Sequence, residues 1–285
     1  MTISLQSPLV STHWLARNIE APELVLFDAT MAAPGEQAIT SMDIQIGNAQ
    51  FFDINKVCDT ESDLPHMMPS VEVFTEQVQA LGVNKDSAIV IYDTKGMFSS
   101  ARVWWMFKSM SFENVAVLDG GLPAWLKDGF EVNREPNPNH KLPQGDFVAT
   151  YLEGYFCDTE RVLTALSDPR INVLDARSAA RFNGDEPDPR PNVRAGHMPG
   201  ALNLPYASLF EKEGLHAGLM KSKEELGAVF NQLSPHHRAL IFSCGSGVTA
   251  CILALAAKIV GYTEISVYDG SWSQWGADSQ CPVVY

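Results

Sequence analysis

Leu240-Ile241-Phe242-Ser243-Cys244-Gly245-Ser246-Gly247-Val248-Thr249 runs from a short apolar strand into a loop headed by a cysteine and punctuated by two glycines. The residues from Val248 to Val260 are rich in Ala and Leu and have helical period. Strand, tight loop and helix make the building unit of an open α/β sheet, which carries its chemistry at the carboxyl ends of its strands. Glycines in such a turn let successive backbone N–H groups converge on one point. Those donors, together with the helix N-terminus, favour negative charge at the residue heading the loop. Cys244 therefore reads as an exposed thiolate, a nucleophile held in an anion-stabilising cradle. The competing reading is a buried strand-end thiol, since free cysteine is among the most buried residue types.

Working outward, the same grammar occurs twice. Val25-Leu26-Phe27-Asp28-Ala29 parallels Asn172-Val173-Leu174-Asp175-Ala176, and Ala88 to Asp93 parallels Ala239 to Cys244. Val117-Leu118-Asp119-Gly120-Gly121, with Trp125 beyond, parallels Val267-Tyr268-Asp269-Gly270-Ser271, with Trp275 beyond. The order is kept and the offset stays near about 150 residues, which argues for a duplicated domain. Strands are predicted at Leu24–Phe27, Ile89–Tyr92 and Val115–Leu118. Helices are predicted at Val71–Leu81, Ser99–Met110, Thr159–Leu166, Lys223–Leu233 and Val248–Val260. Near-continuous apolar strands alternating with helices predict an α/β fold, each half a parallel sheet flanked by helices on both faces. Residues 1–135 form the first domain and residues 149–285 the second. The intervening 136–148 is rich in Pro and Asn and reads as a linker. Asp93 takes the place of the cysteine in the first half. A carboxylate cannot replace a thiolate nucleophile, so that half is expected to be catalytically inactive.

Bulk properties narrow the function. Of 285 residues, 46% are apolar and 19% charged, with a net charge of −14. Such a surface repels phosphate backbones and anionic lipid, so neither nucleic acid nor membrane is an expected partner. The start of the chain lacks the basic, then apolar, pattern of a secretory signal, which places the protein in the cytoplasm. Five scattered cysteines (58, 157, 244, 251 and 281) make no disulfide framework in that compartment. They and the seven histidines show no close metal-ligand spacing, and no cofactor is implied. His236-His237 reads as a solvated turn. A cysteine-dependent phosphatase needs an arginine closing the loop, where this chain has Ala250. The Gly-x-Ser-x-Gly elbow of serine hydrolases is absent.

Cys244-Gly245-Ser246-Gly247-Val248-Thr249, Asp175-Ala176-Arg177 with Arg181-Phe182, Glu186-Pro187-Asp188-Pro189-Arg190, Gly196-His197-Met198-Pro199-Gly200-Ala201 and Tyr268-Asp269-Gly270-Ser271-Trp272 together resemble the two-domain rhodanese superfamily. The likeness is to its 3-mercaptopyruvate sulfurtransferase branch and covers nearly the whole chain. It implies that Cys244 takes sulfur from 3-mercaptopyruvate, releases pyruvate, and passes the sulfur to cyanide or to a thiol acceptor such as thioredoxin. Relatives that use thiosulfate place basic side chains after the cysteine, where this chain has Gly245 and Ser246. The resemblance assigns donor-carboxylate binding to Arg181 and Arg190, whose planar forks suit a carboxylate. It makes Ser246 a hydrogen-bonding and proton-moving group, with Gly245, Gly247, Val248 and Thr249 completing the loop. Arg177 reads as a salt bridge beneath that loop. His66 matches a histidine that works with the loop serine, although the acidic partner of some relatives is Asn55 here. Phe98 matches an aromatic lining position. Gln45-Ile46-Gly47-Asn48-Ala49 departs from the Gly-His-Ile-Pro-Gly-Ala form that the second half keeps in outline. Two alternatives stay open: thiosulfate as the donor, and a persulfide carrier or binding module without catalysis.

Overall fold

Two five-stranded sheets, parallel throughout, account for the strand pattern of both halves. The computed structural model describes residues 3–32, 36, 44–134, 142–234 and 239–285. The chain divides into two compact units. Unit 1 comprises Met1–Thr60 with Met68–Leu152, and unit 2 comprises Glu61–Met67 with Glu153–Tyr285.

Unit 1 contains β1 (Leu9–Val10), α1 (Thr12–Asn18), β2 (Leu24–Asp28), β3 (Gln50–Phe51) and α2 (Val71–Ala80), followed by β4 (Ala88–Tyr92), α3 (Ser100–Ser109), β5 (Val115–Leu118) and α4 (Gly121–Lys127). Its strand order is β1-β5-β4-β2-β3. Every residue of β4 is buried, as a central strand covered on both faces requires, and this is why Ala88 to Tyr92 carries no alternation. Serines cap α1 and α2, Ser11 accepting from the N–H of Trp14 and Ser70 from that of Val73.

Unit 2 repeats the plan with β6 (Phe156–Cys157), α5 (Thr159–Ala165), β7 (Ile171–Asp175), α6 (Ala179–Asn183) and β8 (Leu202–Asn203), then α7 (Lys223–Leu233), β9 (Ala239–Ser243), α8 (Ala250–Val260), β10 (Ile265–Tyr268) and α9 (Ser271–Trp275). The order β6-β10-β9-β7-β8 puts β9 at the centre. Its register runs from Ile171 beside Ala239 to Asp175 beside Ser243. Helix α7 opens on a full capping box of Ser222 and Glu225. Helix α8 is buried from Ala250 to Ala257, which explains its nearly uniform Ala and Leu content.

The sequence reading places the start of this last helix at Val248; it begins instead at Ala250. The amides of Cys251 and Ile252 bond to the carbonyls of Val248 and Thr249, so the entry turn is tight and leaves those two residues in the loop. Of the expected linker, residues 136–141 and also His236-His237 lie outside the described residues. Residues 142–148 are tied to unit 1. Gly145 N–H donates to the Gln79 carbonyl at 2.8 Å, Phe147 N–H donates to that of Val83 at 3.1 Å, and the Phe147 ring meets Phe112 edge-on at 5.0 Å. Among the described residues no helix is long and apolar enough to cross a membrane.

Candidate active site

Cys244 follows the last residue of β9, at the carboxyl end of the central strand, and the loop Gly245–Thr249 leads into α8. Unit 1 displays what this architecture holds. There Asp93 follows β4, and its carboxylate accepts the N–H groups of Lys95 at 2.9 Å, Ser99 at 3.0 Å and Ser100 at 2.9 Å. The loop of unit 1 is an anion nest filled by its own side chain. In unit 2 the loop after Cys244 is one residue shorter, with α8 starting at Ala250 where α3 starts at Ser100. The frames nonetheless match, since Leu122 N–H donates to the Asp93 carbonyl at 3.0 Å and Trp272 N–H to that of Cys244 at 3.0 Å.

The thiol is not exposed as the sequence reading expects. Cys244 retains only 1% of its accessible surface. A residue ending a central strand is enclosed by its own sheet, and here the Trp272 amide bonds its carbonyl from below. Its surroundings are nonetheless polar. The buried residues Ser243, Ser246 and Ser271 lie about it in sequence and hydrogen bonding, and charged groups stand over the adjoining Gly245.

Those charges are Arg181 and Arg190. A Cβ built on Gly245 would lie 3.1 Å from Arg190 Nη1, 3.5 Å from Arg190 Nη2 and 3.6 Å from Arg181 Nη2. A side chain there would crowd the Arg190 guanidinium, whereas Gly247, with φ of +72°, supplies the left-handed turn. Arg181 projects from α6, a short helix capped by Ser178, whose hydroxyl accepts the Arg181 N–H. Arg190 follows Pro187-Asp188-Pro189, a stretch whose two prolines restrict the backbone. Asp188 bridges the pair, accepting from Arg181 Nη2 through Oδ2 and from Arg190 Nη1 through Oδ1 at 3.4 Å. Arg181 Nε is buried and makes no hydrogen bond among the described residues.

His66 belongs to unit 2 with the segment Glu61–Met67. Its Nδ1 lies 3.2 Å from Ser246 Oγ, on a backbone with φ of +63°. Residues 66 and 246, distant in sequence, are thus brought together. Asn55 N–H and Nδ2 donate to Asp53 Oδ1 at 3.1 and 3.4 Å. Arg177 is the expected buried pair beneath the loop. Its guanidinium binds both oxygens of Asp175 at 2.6 to 3.0 Å, donates to the Gly196 carbonyl at 2.9 Å, and lies 4.1 Å from the Trp272 ring. Phe98 lies in the corresponding loop of unit 1, where the Lys95 ammonium sits 5.4 Å from its ring. Cys251 is buried in α8 with its thiol 3.2 Å from the Gly247 carbonyl. Among the described residues no group of His, Cys, Asp and Glu side chains is arranged to hold a metal ion.

Two residues here were not singled out from the sequence. One is Asp188; the other is Ser271. The Ser271 hydroxyl accepts the N–H of Cys244 at 3.2 Å and of Gly247 at 3.0 Å and donates to the Tyr268 carbonyl at 2.7 Å. Its φ is +47°, a conformation unusual for a residue with a Cβ, and the corresponding residue of unit 1 is Gly121 with φ of +55°. The signal was present in the repeat, where Gly120-Gly121 becomes Gly270-Ser271.

Comparison with known proteins agrees with this architecture. The rhodanese-like domain family matches the chain over residues 11–128 and again over 158–278. The chain is 38% identical over 279 residues to 3-mercaptopyruvate sulfurtransferase of Escherichia coli (strain K12), covering 96% of each protein. It is also 37% identical over 281 residues to thiosulfate sulfurtransferase of Cricetulus griseus, covering 95% of this chain and 92% of that protein. The crystal structure of the Escherichia coli 3-mercaptopyruvate sulfotransferase superposes with a TM-score of 0.82 at 35% identity, over 94% of this chain and 99% of that one. With a rhodanese-like domain matched in each half and near-full-length identity to these enzymes, the chain belongs to the rhodanese family as a two-domain sulfurtransferase.

Proposed function

We propose that the protein transfers sulfur from 3-mercaptopyruvate to a thiol acceptor through a persulfide on Cys244. Relatives of nearly equal identity are named for different donors, so identity alone does not choose between them. One observation carries the choice. The cationic groups beside Cys244 are two guanidiniums, 3.1 to 3.6 Å from where a Gly245 side chain would begin, and their planar forks suit a carboxylate, while the loop itself carries no basic side chain.

In the reaction, the Cys244 thiolate attacks the donor's sulfur, forming the S–S bond as the donor's C–S bond breaks. The electron pair passes to carbon, where the adjacent carbonyl spreads it as the enolate of pyruvate. Proton uptake at that carbon completes pyruvate, and the enzyme is left as Cys244–S–SH. Arg181 and Arg190 orient the donor carboxylate, and Ser246, hydrogen-bonded to His66, sits where a proton can be moved. Loop amides and the start of α8 stabilise the sulfur anions. A thiolate acceptor, thioredoxin being the fitting kind, then attacks the outer sulfur and restores the Cys244 thiolate. The working compartment is assigned to the cytoplasm.

Supplying 3-mercaptopyruvate with a reducing thiol and measuring pyruvate and sulfide tests this directly. Wild type should release both, and Cys244→Ser neither. Pyruvate release unchanged by that substitution would overturn the proposal, and far better use of thiosulfate than of 3-mercaptopyruvate would overturn the donor.

A further inference from the structure

Asp188 is the only acidic side chain shown to bridge the two guanidiniums among the described residues, and it retains just 1% of its side-chain surface. Burying a carboxylate this completely is costly unless it is fully paired, and here three donors converge on it. They are Arg181 Nη2, Arg190 Nη1, and the Arg190 backbone N–H at 3.0 Å. Pro189 restricts the backbone of Asp188 to extended conformations, so the carboxylate is presented to the pair by a stiff element. The bridge uses one edge of each guanidinium. The nitrogens nearest Gly245 are Arg190 Nη1, Arg190 Nη2 and Arg181 Nη2, of which Arg190 Nη1 and Arg181 Nη2 also bind Asp188, while Arg181 Nε stays buried without a hydrogen-bond partner among the described residues. The Arg181 partnership sets an electrostatic quantity: two guanidiniums carry +2, one carboxylate carries −1, and the cluster beside Cys244 nets +1.

We propose that Asp188 is a positioning and specificity-setting residue: by clasping Arg181 and Arg190 it holds the two guanidiniums beside Gly245 and lowers their joint charge to match a monoanionic donor over a dianionic one. This deepens the functional reading above and rests on it. A ligand charge near a changed unit charge gains in proportion to its own valence, so removing the carboxylate favours thiosulfate, with two charges, more than the single carboxylate of 3-mercaptopyruvate.

The test compares kcat/KM for both donors in the full chain, as wild type, Asp188→Asn and Asp188→Glu. Asp188→Asn should raise the thiosulfate to 3-mercaptopyruvate ratio by about tenfold, the effect of one added charge nearby in a partly screened site. Asp188→Glu restores the charge and should return the ratio to within about threefold of wild type, even if absolute efficiency falls. Loss of both activities in parallel, with the ratio unmoved, would assign Asp188 a structural role alone and overturn the proposal. A second measurement needs no substitution. Against 3-mercaptopyruvate, pyruvate should inhibit wild type competitively at lower concentration than sulfate, and tighter binding of sulfate would also overturn it. Absence of pyruvate release by wild type removes the functional reading itself, whereas an unmoved ratio in an active variant removes only the role of Asp188.

Discussion

Ser271 Oγ accepts the backbone N–H of Cys244 at 3.2 Å, so a residue from the start of α9 holds the head of the reactive loop. The same oxygen accepts from Gly247 and donates to Tyr268, joining both ends of the loop turn to the end of β10. Unit 1 does without this tie. Gly121 stands there, and a Cβ on it would come within 2.5 Å of the carbonyls of Asp93 and Gly96.

Replacing Ser271 separates the hydroxyl from the backbone conformation. Ser271→Gly keeps φ of +47° accessible but leaves two buried N–H groups without their acceptor. We expect a stability loss of about 2 kcal/mol, and a fall in kcat of about tenfold as the loop loosens. Ser271→Ala should be worse than Ser271→Gly, because alanine suffers the same loss while keeping the left-handed strain that glycine relieves. Thermal denaturation and single-turnover sulfur loading measure the two effects.

Ser246 and His66 should act as one unit. Each substitution to Ala removes the 3.2 Å contact, so the double variant should lose little more rate than either single variant. Additive losses in pyruvate release would show that the two side chains work independently.

The two arginines should be revealed by KM rather than by kcat. Arg190→Lys keeps the charge but loses the planar fork, and KM for 3-mercaptopyruvate should rise by about tenfold or more. An unchanged KM would remove Arg190 from donor binding.

Sulfur loading should be confined to one cysteine. Burial pushes the Cys157 thiol up to about 12 and also raises those of Cys58 and Cys281, leaving little thiolate on any of them at neutral pH. Mass spectrometry after donor treatment should find the extra sulfur on the Cys244 peptide alone.

The buried carboxylates beside the two central strands have different partners in the two repeats. Asp175 is paired with Arg177, but the same position in unit 1 is Asp28 beside Thr30. Burial raises the Asp28 carboxyl above 3.8, with Asp93 adding to the rise and bonds from Thr30 and Tyr92 offsetting part of it. The folded chain then binds more protons than the unfolded one between 3.8 and the raised value, and stability falls as pH climbs through that window. Asp28→Asn should therefore melt higher than wild type at pH 7, by about 2–4 °C for each 1 kcal/mol gained. The advantage should vanish on acidification below the unfolded carboxyl range. A lower Tm for the variant at neutral pH would contradict the sign.

Read by itself, the sequence determined the duplicated α/β plan and the identity of the reactive loop. Those features are local. Uninterrupted apolar runs such as Ala88–Tyr92 and Ala239–Ser243 mark strands buried on both faces, and Gly245 and Gly247 mark a turn whether or not the rest of the chain is known. Sequence also pointed to Arg181, Arg190 and His66, through their motifs. What those side chains touch was decided only in three dimensions. The burial of Cys244, the clasp of Asp188, the reach of Ser271 across 27 residues to the Cys244 amide, and the meeting of His66 with Ser246 all join positions whose separation along the chain carries no directional preference. Backbone propensity acts over a few neighbouring residues. The order β6-β10-β9-β7-β8 is what carries the loops after β7, β9 and β10 to one end of a sheet, and a contact made that way has no trace in local composition.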